Sequence, residues 1–158
     1  MKLNLGCGNM FIPEFINCDK YNKKADVVCD VKILPFNSNS IEEIYASHLI
    51  EHFDFKEAFE VLKEWKRVLK EGGLLVIETP DLLGTCKAFV EGTDTRKVDL
   101  YGHFFATPWI EGQIHKFLYT EKQLEWTLKE LGFKNIKKTP ALRYIGCEDI
   151  NLRMECIK

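Results

Sequence analysis

The sequence predicts an α/β fold in which helices flank a doubly wound, mostly parallel sheet of seven strands with an antiparallel last strand. Residues 74–79 form an almost continuous apolar run, which is typical of a strand buried on both faces of a parallel sheet. Strand-like segments alternate with helical ones along the chain, the order that a doubly wound sheet requires. Residues 150–157 alternate apolar and polar side chains, and this period of two favours a half-buried antiparallel strand.

Seven segments have strand-like composition. They are residues 3–5, 15–18, 25–29, 41–46, 74–79, 133–137 and 150–157. Only residues 6–14 connect the first two segments, and this link is shorter than the roughly 10–12 residues of a full βαβ crossover. The first crossover is therefore predicted to be abbreviated, without a full helix.

The two long helices are marked by capping boxes. Asp54 and Glu57 form a D-x-x-E start, after which apolar residues recur at helical spacing as far as Leu69. Gly72 is expected to end this helix. Thr120 begins the last helix with a second capping box.

Residues 81–119 lie between the fifth strand and the last helix and follow no single period. A helix is predicted over 82–91, followed by a long aromatic loop. Long segments of this kind within a compact domain are usually functional. We therefore predict a single domain over residues 1–158 with a substrate lid at about 81–119.

Composition excludes several classes of protein. The hydrophobic fraction of 46% and the charged fraction of 29% are typical of a globular protein, and the net charge of −2 gives no general attraction to nucleic acid or to an anionic membrane. The sequence contains no apolar run of the ~20 residues that a membrane span needs and no signal-peptide pattern, so a cytoplasmic location is expected. The six cysteines include no C-x-x-C pair, which argues against a zinc ribbon and favours buried free thiols. Nothing in the sequence specifies an oligomeric state.

A glycine turn follows the first strand and predicts a ligand site. Gly6-Cys7-Gly8 lets the backbone approach a ligand closely. Phe11 replaces the third glycine of a dinucleotide-binding motif, and the short first crossover offers no helix N-terminus for a pyrophosphate. The site therefore favours a ligand that has an adenosine but no phosphates, and S-adenosylmethionine is such a ligand.

Two carboxylates follow the next two strands. Asp19 and Asp30 would both lie at the carboxyl edge of the sheet, where ligands bind in this kind of fold. A carboxylate at Asp19 suits the ribose hydroxyls, and one at Asp30 suits the adenine amino group. Either residue alone is better explained as a solvated turn residue, but the two together after a glycine turn favour a ligand site.

These motifs occur in the order found in the class I, Rossmann-like S-adenosylmethionine-dependent methyltransferases, which the chain resembles. The matching segments are 3–8, 16–19, 26–36, 46–53, 69–74 and 115–120. The resemblance implies S-adenosylmethionine as cofactor and an antiparallel seventh strand. The cofactor-binding residues that it implies are Asn4, Leu5, Gly6, Cys7, Gly8, Asp19, Lys20, Asp30, Val31, Ser47 and His48.

His48, Glu51 and His52 form an H-x-x-E-H string after the fourth strand. The same string occurs in inverzincin proteases, but its position after a sheet strand argues against a protease. Some small-RNA 2′-O-methyltransferases bind a divalent ion with a similar string and a distant histidine, which would make this string and His115 a metal site. The alternative is that Glu51 and His52 only cap and pack the next helix. A metal-free cleft is favoured, because one carboxylate supplies too few oxygen ligands for magnesium.

Aromatic residues and histidines crowd the segment before the last helix. The side chains that we predict for the substrate lid are His103, Phe105, Trp109, His115 and Tyr119. The alternative is a satellite core beneath a loop, which is the usual state of an aromatic cluster. If the acceptor must lose a proton, His115 or His48 is the candidate base.

The predicted activity is methyl transfer from S-adenosylmethionine to an oxygen or nitrogen atom of a small-molecule or glycan-like acceptor. Because the sulfonium is already an activated donor, the protein supplies mainly proximity and orientation. Two alternatives stay open: a nucleic-acid methyltransferase, which the net charge disfavours, and a non-catalytic S-adenosylmethionine-binding module. Nucleic acid and membranes are not expected partners.

Overall fold

The computed structural model describes residues 1–107, 109–142 and 149–158, and only the backbone of residues 94–99. The strands are β1 (Lys2–Leu5), β2 (Ile16–Asp19), β3 (Val27–Val28), β4 (Ile41–Ser47), β5 (Leu69–Pro80), β6 (Lys134–Thr139) and β7 (Asn151–Ile157). The helices are α1 (Phe55–Val68), α2 (Leu82–Glu91), α3 (Asp94–Phe105) and α4 (Glu121–Glu130), and a 3₁₀ turn covers Ile50–His52. Cys147, one of the six cysteines, lies outside the described residues.

The seven strands form one sheet in the order β3-β2-β1-β4-β5-β7-β6. Strands β1 to β5 pair with their neighbours in parallel, and β7 is antiparallel to both β5 and β6. The predicted seven-stranded, mostly parallel sheet with an antiparallel last strand is confirmed. Within the described residues, the link between β1 and β2 contains no helix, which confirms the abbreviated first crossover. The carboxyl ends of β1, β2 and β4 therefore meet at one edge of the sheet.

The apolar core lies on one face of the sheet. The buried residues that neighbour one another across four strands on this face are Leu5, Ala46, Ile77 and Met154. Helices α1 and α4 both pack against this face, since Trp65 of α1 and Leu128 of α4 belong to the same core cluster. The capping boxes predicted at Asp54 and Thr120 are confirmed and fix where these two helices begin.

The other face of the sheet carries mainly polar side chains that pair with one another. Asn4 donates a hydrogen bond to Asn17 across 2.9 Å, and Lys2 forms an ion pair with Glu43 at 2.8 Å. A third pair, between Arg153 and the buried Glu78, joins β7 to β5 at 3.1 Å. These side chains lie on the strand positions that alternate with the core residues, so the period of two separates an apolar face from a polar one.

The boundary between α1 and β5 differs from the prediction. The helix ends at Val68, and Leu69 already pairs with Ile41 of β4 as the first residue of β5. Gly72 lies inside β5 and donates its N–H to the Lys158 carbonyl. Its φ of +76° gives the strand a left-handed residue at this point, so Gly72 does not end the helix. Pairing with β4 outweighs the helical spacing that continues to Leu69.

The segment before α4 contains more helix than predicted. Helix α2 matches the prediction over 82–91, but residues 94–105 form α3 where an aromatic loop was expected. Tyr101 and Phe104 lie one helical turn apart, and both rings pack edge-on against Phe89 of α2. The aromatic residues thus form the seam between two helices, and this packing stabilises α3.

Two further expectations concern the burial of the cysteine thiols and the presence of helices that could span a membrane. Cys7, Cys18 and Cys156 are buried free thiols, but Cys29 is only partly buried and Cys86 is exposed, so the expectation of buried thiols holds for part of the set. No helix in the described ranges has the length and apolar character needed to cross a bilayer.

Candidate functional site

A cavity of about 720 Å³ opens at the carboxyl edge of the sheet. Its cofactor end is formed by Gly6, Gly8, Asp19 and Asp30, which follow β1, β2 and β3. Its histidine end, on the β4 side of the sheet order, is formed by His48, His52, His103 and His115. The two groups of predicted residues therefore line one continuous cavity, whose size is typical of small-molecule sites.

The glycine turn forms part of the cavity wall. Gly6 and Gly8 have φ angles of +63° and +50°, in the left-handed region that glycine adopts without strain. A Cβ at Gly6 would lie 2.8 Å from the Leu49 Cδ1 atom, so a side chain there would have to displace Leu49. A Cβ at Gly8 would meet no atom within 4 Å, which leaves the backbone of this turn open to a ligand.

The Asp19 carboxylate holds the glycine turn in place. It accepts backbone N–H groups from Gly8 at 2.9 Å, Tyr21 at 2.7 Å and Asn22 at 2.8 Å. A carboxylate has about four lone-pair positions, so one position remains for a ligand hydroxyl. Asp19 is thus both a cavity residue and the link between the ends of β1 and β2, a second role that the sequence did not reveal.

Asp30 is fixed by its neighbours on the same loop. Its carboxylate forms an ion pair with Lys20 at 2.9 Å and accepts the Lys32 backbone N–H at 3.0 Å. Partial burial alone would raise the pKa of Asp30, but the contacts with Lys32 and Lys20 outweigh it and lower the pKa. Next to it, the carbonyl of Val31 accepts the Trp65 indole N–H at 3.1 Å, which ties this wall of the cavity to the core.

Three of the cofactor-binding residues that the resemblance implied do not line this cavity. Leu5 is fully buried in the core. Asn4 points to the polar face of the sheet, where it bonds to Asn17 and to the Met10 carbonyl. The Cys7 side chain is buried. The period of two along β1 and the turn after it direct these side chains away from the edge.

His48 ends β4 in a strained conformation. Its φ is +51°, in the left-handed region that few residues other than glycine adopt. Its N–H donates to the Glu78 carbonyl at 2.8 Å, and its Nδ1 atom lies 3.3 Å from the Glu51 Oε1 atom. Strain of this kind is common at functional sites, where the surrounding structure enforces it.

Glu51 is completely buried at the centre of the histidine end. Its Oε2 atom accepts the Thr79 hydroxyl at 3.0 Å, and its Oε1 atom lies 3.9 Å from the His115 Nε2 atom. Burial alone would raise the pKa of Glu51, but the neighbouring imidazoles of His48 and His52 outweigh it and keep the pKa low. Asp54 caps α1, so the interpretation of Glu51 as a capping residue is wrong.

His52 and His115 face each other across the histidine end, with ring centroids 4.9 Å apart. The His52 Nδ1 atom lies 3.1 Å from the Ile114 carbonyl, and the His115 Nδ1 atom lies 2.9 Å from the His103 carbonyl. Burial lowers the pKa of His115, and this effect outweighs the attraction of the Glu51 carboxylate. The neutral form of the imidazole is therefore more favoured at His115 than in a free histidine.

The predicted lid residues separate into three groups. His103 and His115 line the cavity. Phe105 and Trp109 are exposed and do not line it. Tyr119 is fully buried in the main core, where it packs against Phe117, and it does not line the cavity.

Several cavity residues were not predicted from the sequence. They are Tyr21, Lys32, Leu49, Gln113, Ile114 and Lys116. A Cβ at Gly112 would lie 2.7 Å from the Tyr21 ring, so the segment around Gly112 passes close to the turn after β2. Tyr21 and Gly112 are far apart in the chain, and the glycine at position 112 is the only local sign of their contact in the sequence.

Comparisons with known proteins agree with this geometry. The family model described as a methyltransferase domain matches residues 7–77, which run from the glycine turn to β5. No curated protein sequence matches the chain.

Solved structures show the same fold. A S-adenosylmethionine-dependent methyltransferase of Archaeoglobus fulgidus is 18% identical with a TM-score of 0.64, and the match covers 99% of this chain and 85% of that one. A possible histamine N-methyltransferase of Thermotoga maritima is 14% identical with a TM-score of 0.65, with 99% and 81% covered.

A third structure, the phosphoethanolamine N-methyltransferase 2 of Haemonchus contortus, contains phosphomonomethylethanolamine and S-adenosylhomocysteine. It is 16% identical with a TM-score of 0.62, and the match covers 99% of this chain but 48% of that one. The chain therefore has the fold of the class I S-adenosylmethionine-dependent methyltransferases and matches a methyltransferase domain over residues 7–77, and these findings support S-adenosylmethionine as its cofactor.

Proposed function

We propose that the protein transfers a methyl group to an oxygen or nitrogen atom of a small-molecule or glycan-like acceptor. The proposal rests on one continuous cavity. Its cofactor end is lined by glycines and carboxylates, and its histidine end is lined by imidazoles. Two of the similar structures belong to proteins named for N-methylation of small amines, which supports an acceptor of this size. The cofactor supplies a methyl group that its sulfonium has already activated for displacement.

The cofactor end suits an adenosyl ligand. The open space at Gly8 leaves room for the methionine part against the backbone, and Asp19 keeps one free acceptor position for a ribose hydroxyl. Asp30 is proposed to accept the adenine amino group. These roles follow the family resemblance, and the positive φ angles and the remaining lone pair support them.

The histidine end is proposed to hold the acceptor. His48 and His115 line it and are the candidates for positioning the nucleophile or accepting its proton. We propose that residues 81–119 act as the substrate lid of a single domain spanning residues 1–158. The backbone supports this role, because α3 supplies His103 and the segment 112–116 supplies further cavity residues.

The acceptor class can be tested by labelled methyl transfer. Purified protein and methyl-labelled S-adenosylmethionine are added to fractionated extract of the source organism, and the labelled product is identified. Label is expected in the small-molecule or glycan fraction. Label in RNA would support a nucleic-acid methyltransferase, and cofactor binding without any labelled product would support a binding module.

The cofactor end should discriminate between adenosyl ligands. S-adenosylhomocysteine is expected to bind at least about tenfold more tightly than NAD, because the turn after β1 leads into no helix N-terminus that could bind a pyrophosphate. Isothermal titration calorimetry with both ligands measures the difference. Equal affinities, or tighter binding of NAD, would contradict the proposed adenosyl site.

Replacing His115 by alanine should affect turnover and not cofactor binding. We expect turnover of the identified acceptor to fall about 100- to 10,000-fold, the range for loss of a group that assists proton transfer. The affinity for S-adenosylhomocysteine should stay within about twofold, since His115 lies at the other end of the cavity. Full activity in both His115→Ala and His48→Ala would remove these histidines from the mechanism.

A further inference from the structure

Three potential metal ligands converge at the histidine end. Glu51, His52 and His115 each offer one ligand atom, and the three atoms lie within 4.8 Å of one another. Zinc binds imidazole nitrogen and carboxylate oxygen at about 2.0–2.2 Å, so small side-chain rotations suffice to bring the three atoms onto one ion. No other such group of histidine, cysteine and carboxylate side chains is found in the described part of the chain.

Backbone carbonyls orient both imidazoles toward this point. The Ile114 carbonyl lies beside the His52 Nδ1 atom, and the His103 carbonyl lies beside the His115 Nδ1 atom. An Nδ1–H that donates to a carbonyl leaves the Nε2 lone pair free for an ion, and this arrangement is usual for metal-binding histidines. Both rings are therefore held in the tautomer that a metal requires.

The carboxylate is oriented in the same way. The Thr79 hydroxyl holds the Oε2 atom of Glu51. The Oε1 atom is buried, with the His48 Nδ1 atom 3.3 Å and the His115 Nε2 atom 3.9 Å away. A buried carboxylate is stable only when it is paired, and a bound cation would add a partner to the neighbouring imidazoles.

Backbone hydrogen bonds join the two segments that carry the three side chains. Glu51 and His52 are consecutive on the 3₁₀ turn. The Glu51 carbonyl accepts backbone N–H groups from Lys116 at 2.8 Å and from Phe117 at 3.2 Å, which fixes the segment of His115 to this turn. Ligands held by backbone hydrogen bonds on both sides are what a preorganised metal site requires.

We propose that Glu51, His52 and His115 bind one divalent transition-metal ion, of the kind that imidazole prefers. Two imidazoles and one carboxylate suit zinc, iron or manganese. Magnesium and calcium are disfavoured, because they need more oxygen ligands than one carboxylate supplies. Because His52 and His115 line the cavity, the remaining coordination positions face the acceptor. The metal would hold an acceptor oxygen or nitrogen there, and His48 would then be the candidate for accepting its proton, since the Nε2 atom of His115 would be bound to the metal. Metal binding is measured without an acceptor, so this inference and the proposed methyl transfer fail independently.

The test is metal binding to the intact chain after removal of metals with a chelator. The exposed thiol of Cys86 could bind metal, so all proteins carry Cys86→Ser. Titration with Zn²⁺ is expected to give one tight site per chain and a higher melting temperature, and Co²⁺ should give the visible absorption of a protein-bound ion. Absence of a stoichiometric site for both metals would overturn the proposal.

Variants locate the site. His52→Ala and His115→Ala should each weaken Zn²⁺ binding at least about 100-fold. His103→Ala is the matched control, because it removes a cavity imidazole but keeps the backbone carbonyl that orients His115. Circular dichroism checks the fold of each variant, and His52→Gln replaces any alanine variant that does not fold. Tight binding retained in both ligand variants, or an equal loss in His103→Ala, would refute this ligand set.

Discussion

Replacing Trp65 by alanine is expected to lower the free energy of unfolding by about 3–5 kcal/mol. The Trp65 side chain is fully buried on α1 at the centre of the core, where alanine would leave a large cavity. Its indole N–H is also the donor to the Val31 carbonyl, so the change leaves a polar group in the cavity wall without its partner. Chemical denaturation, monitored by circular dichroism, measures the loss.

Trp109→Ala is the matched control for this result. The side chain removed is the same, but Trp109 is 84% exposed, so its removal should change the free energy of unfolding by less than about 0.5 kcal/mol. Trp65→Phe keeps most of the ring and should cost less than Trp65→Ala. A loss below about 1 kcal/mol for Trp65→Ala would contradict the position of α1 on the sheet.

Replacing Asp19 by alanine is expected to weaken the binding of S-adenosylhomocysteine by about 1.5–3 kcal/mol, or about 10- to 150-fold in Kd. The Asp19 carboxylate accepts three backbone N–H groups, including that of Gly8, and one further position faces the cavity. Alanine removes both the support of the glycine turn and the proposed ribose contact. Calorimetry with the variant and the parent protein measures the change.

Two comparisons separate these contributions. Asp30→Asn should cost less affinity, because the amide oxygen still accepts one hydrogen bond from the adenine amino group. A deoxyribose analogue of S-adenosylhomocysteine should bind the parent protein less tightly than the natural ligand, and its smaller loss of affinity in Asp19→Ala should measure the support of the glycine turn alone. Parent-like affinity in Asp19→Ala would show that the carboxylate contributes nothing to the site.

The sheet could be predicted from the sequence because its signals are local. The apolar run at 74–79 and the alternation at 150–157 each specify one strand and its environment. The end of α1 was missed because Leu69 suits both the helical spacing and the first pairing with β4, and only the tertiary pairing decides between them. Helix α3 was missed because its aromatic residues are stabilised by packing on Phe89 of α2.

The same difference between local signals and tertiary contacts decides which residues of the candidate site could be predicted. Gly6, Gly8, Asp19 and Asp30 were found because each ends a strand, and parallel strands bring their carboxyl ends to one edge. The burial of Glu51 could not be read from the H-x-x-E-H string, since it depends on Thr79 of β5 and on the chain around residue 116. Contacts between distant segments have no local signature, and most of the histidine end consists of such contacts.

The sheet with an apolar face and a polar face should respond to solution conditions differently on its two sides. The apolar face is stabilised by burial of hydrocarbon, which salt does not weaken. On the polar face, the exposed pairs Lys2–Glu43 and Lys137–Glu155 are open to screening by ions, whereas the largely buried pair of Arg153 and Glu78 is protected from it. Raising the ionic strength should therefore loosen the edge strand β6 and the starts of β1 and β4 before the pairing of β5 with β7, so these are the parts of the sheet whose order depends most on the surrounding electrolyte.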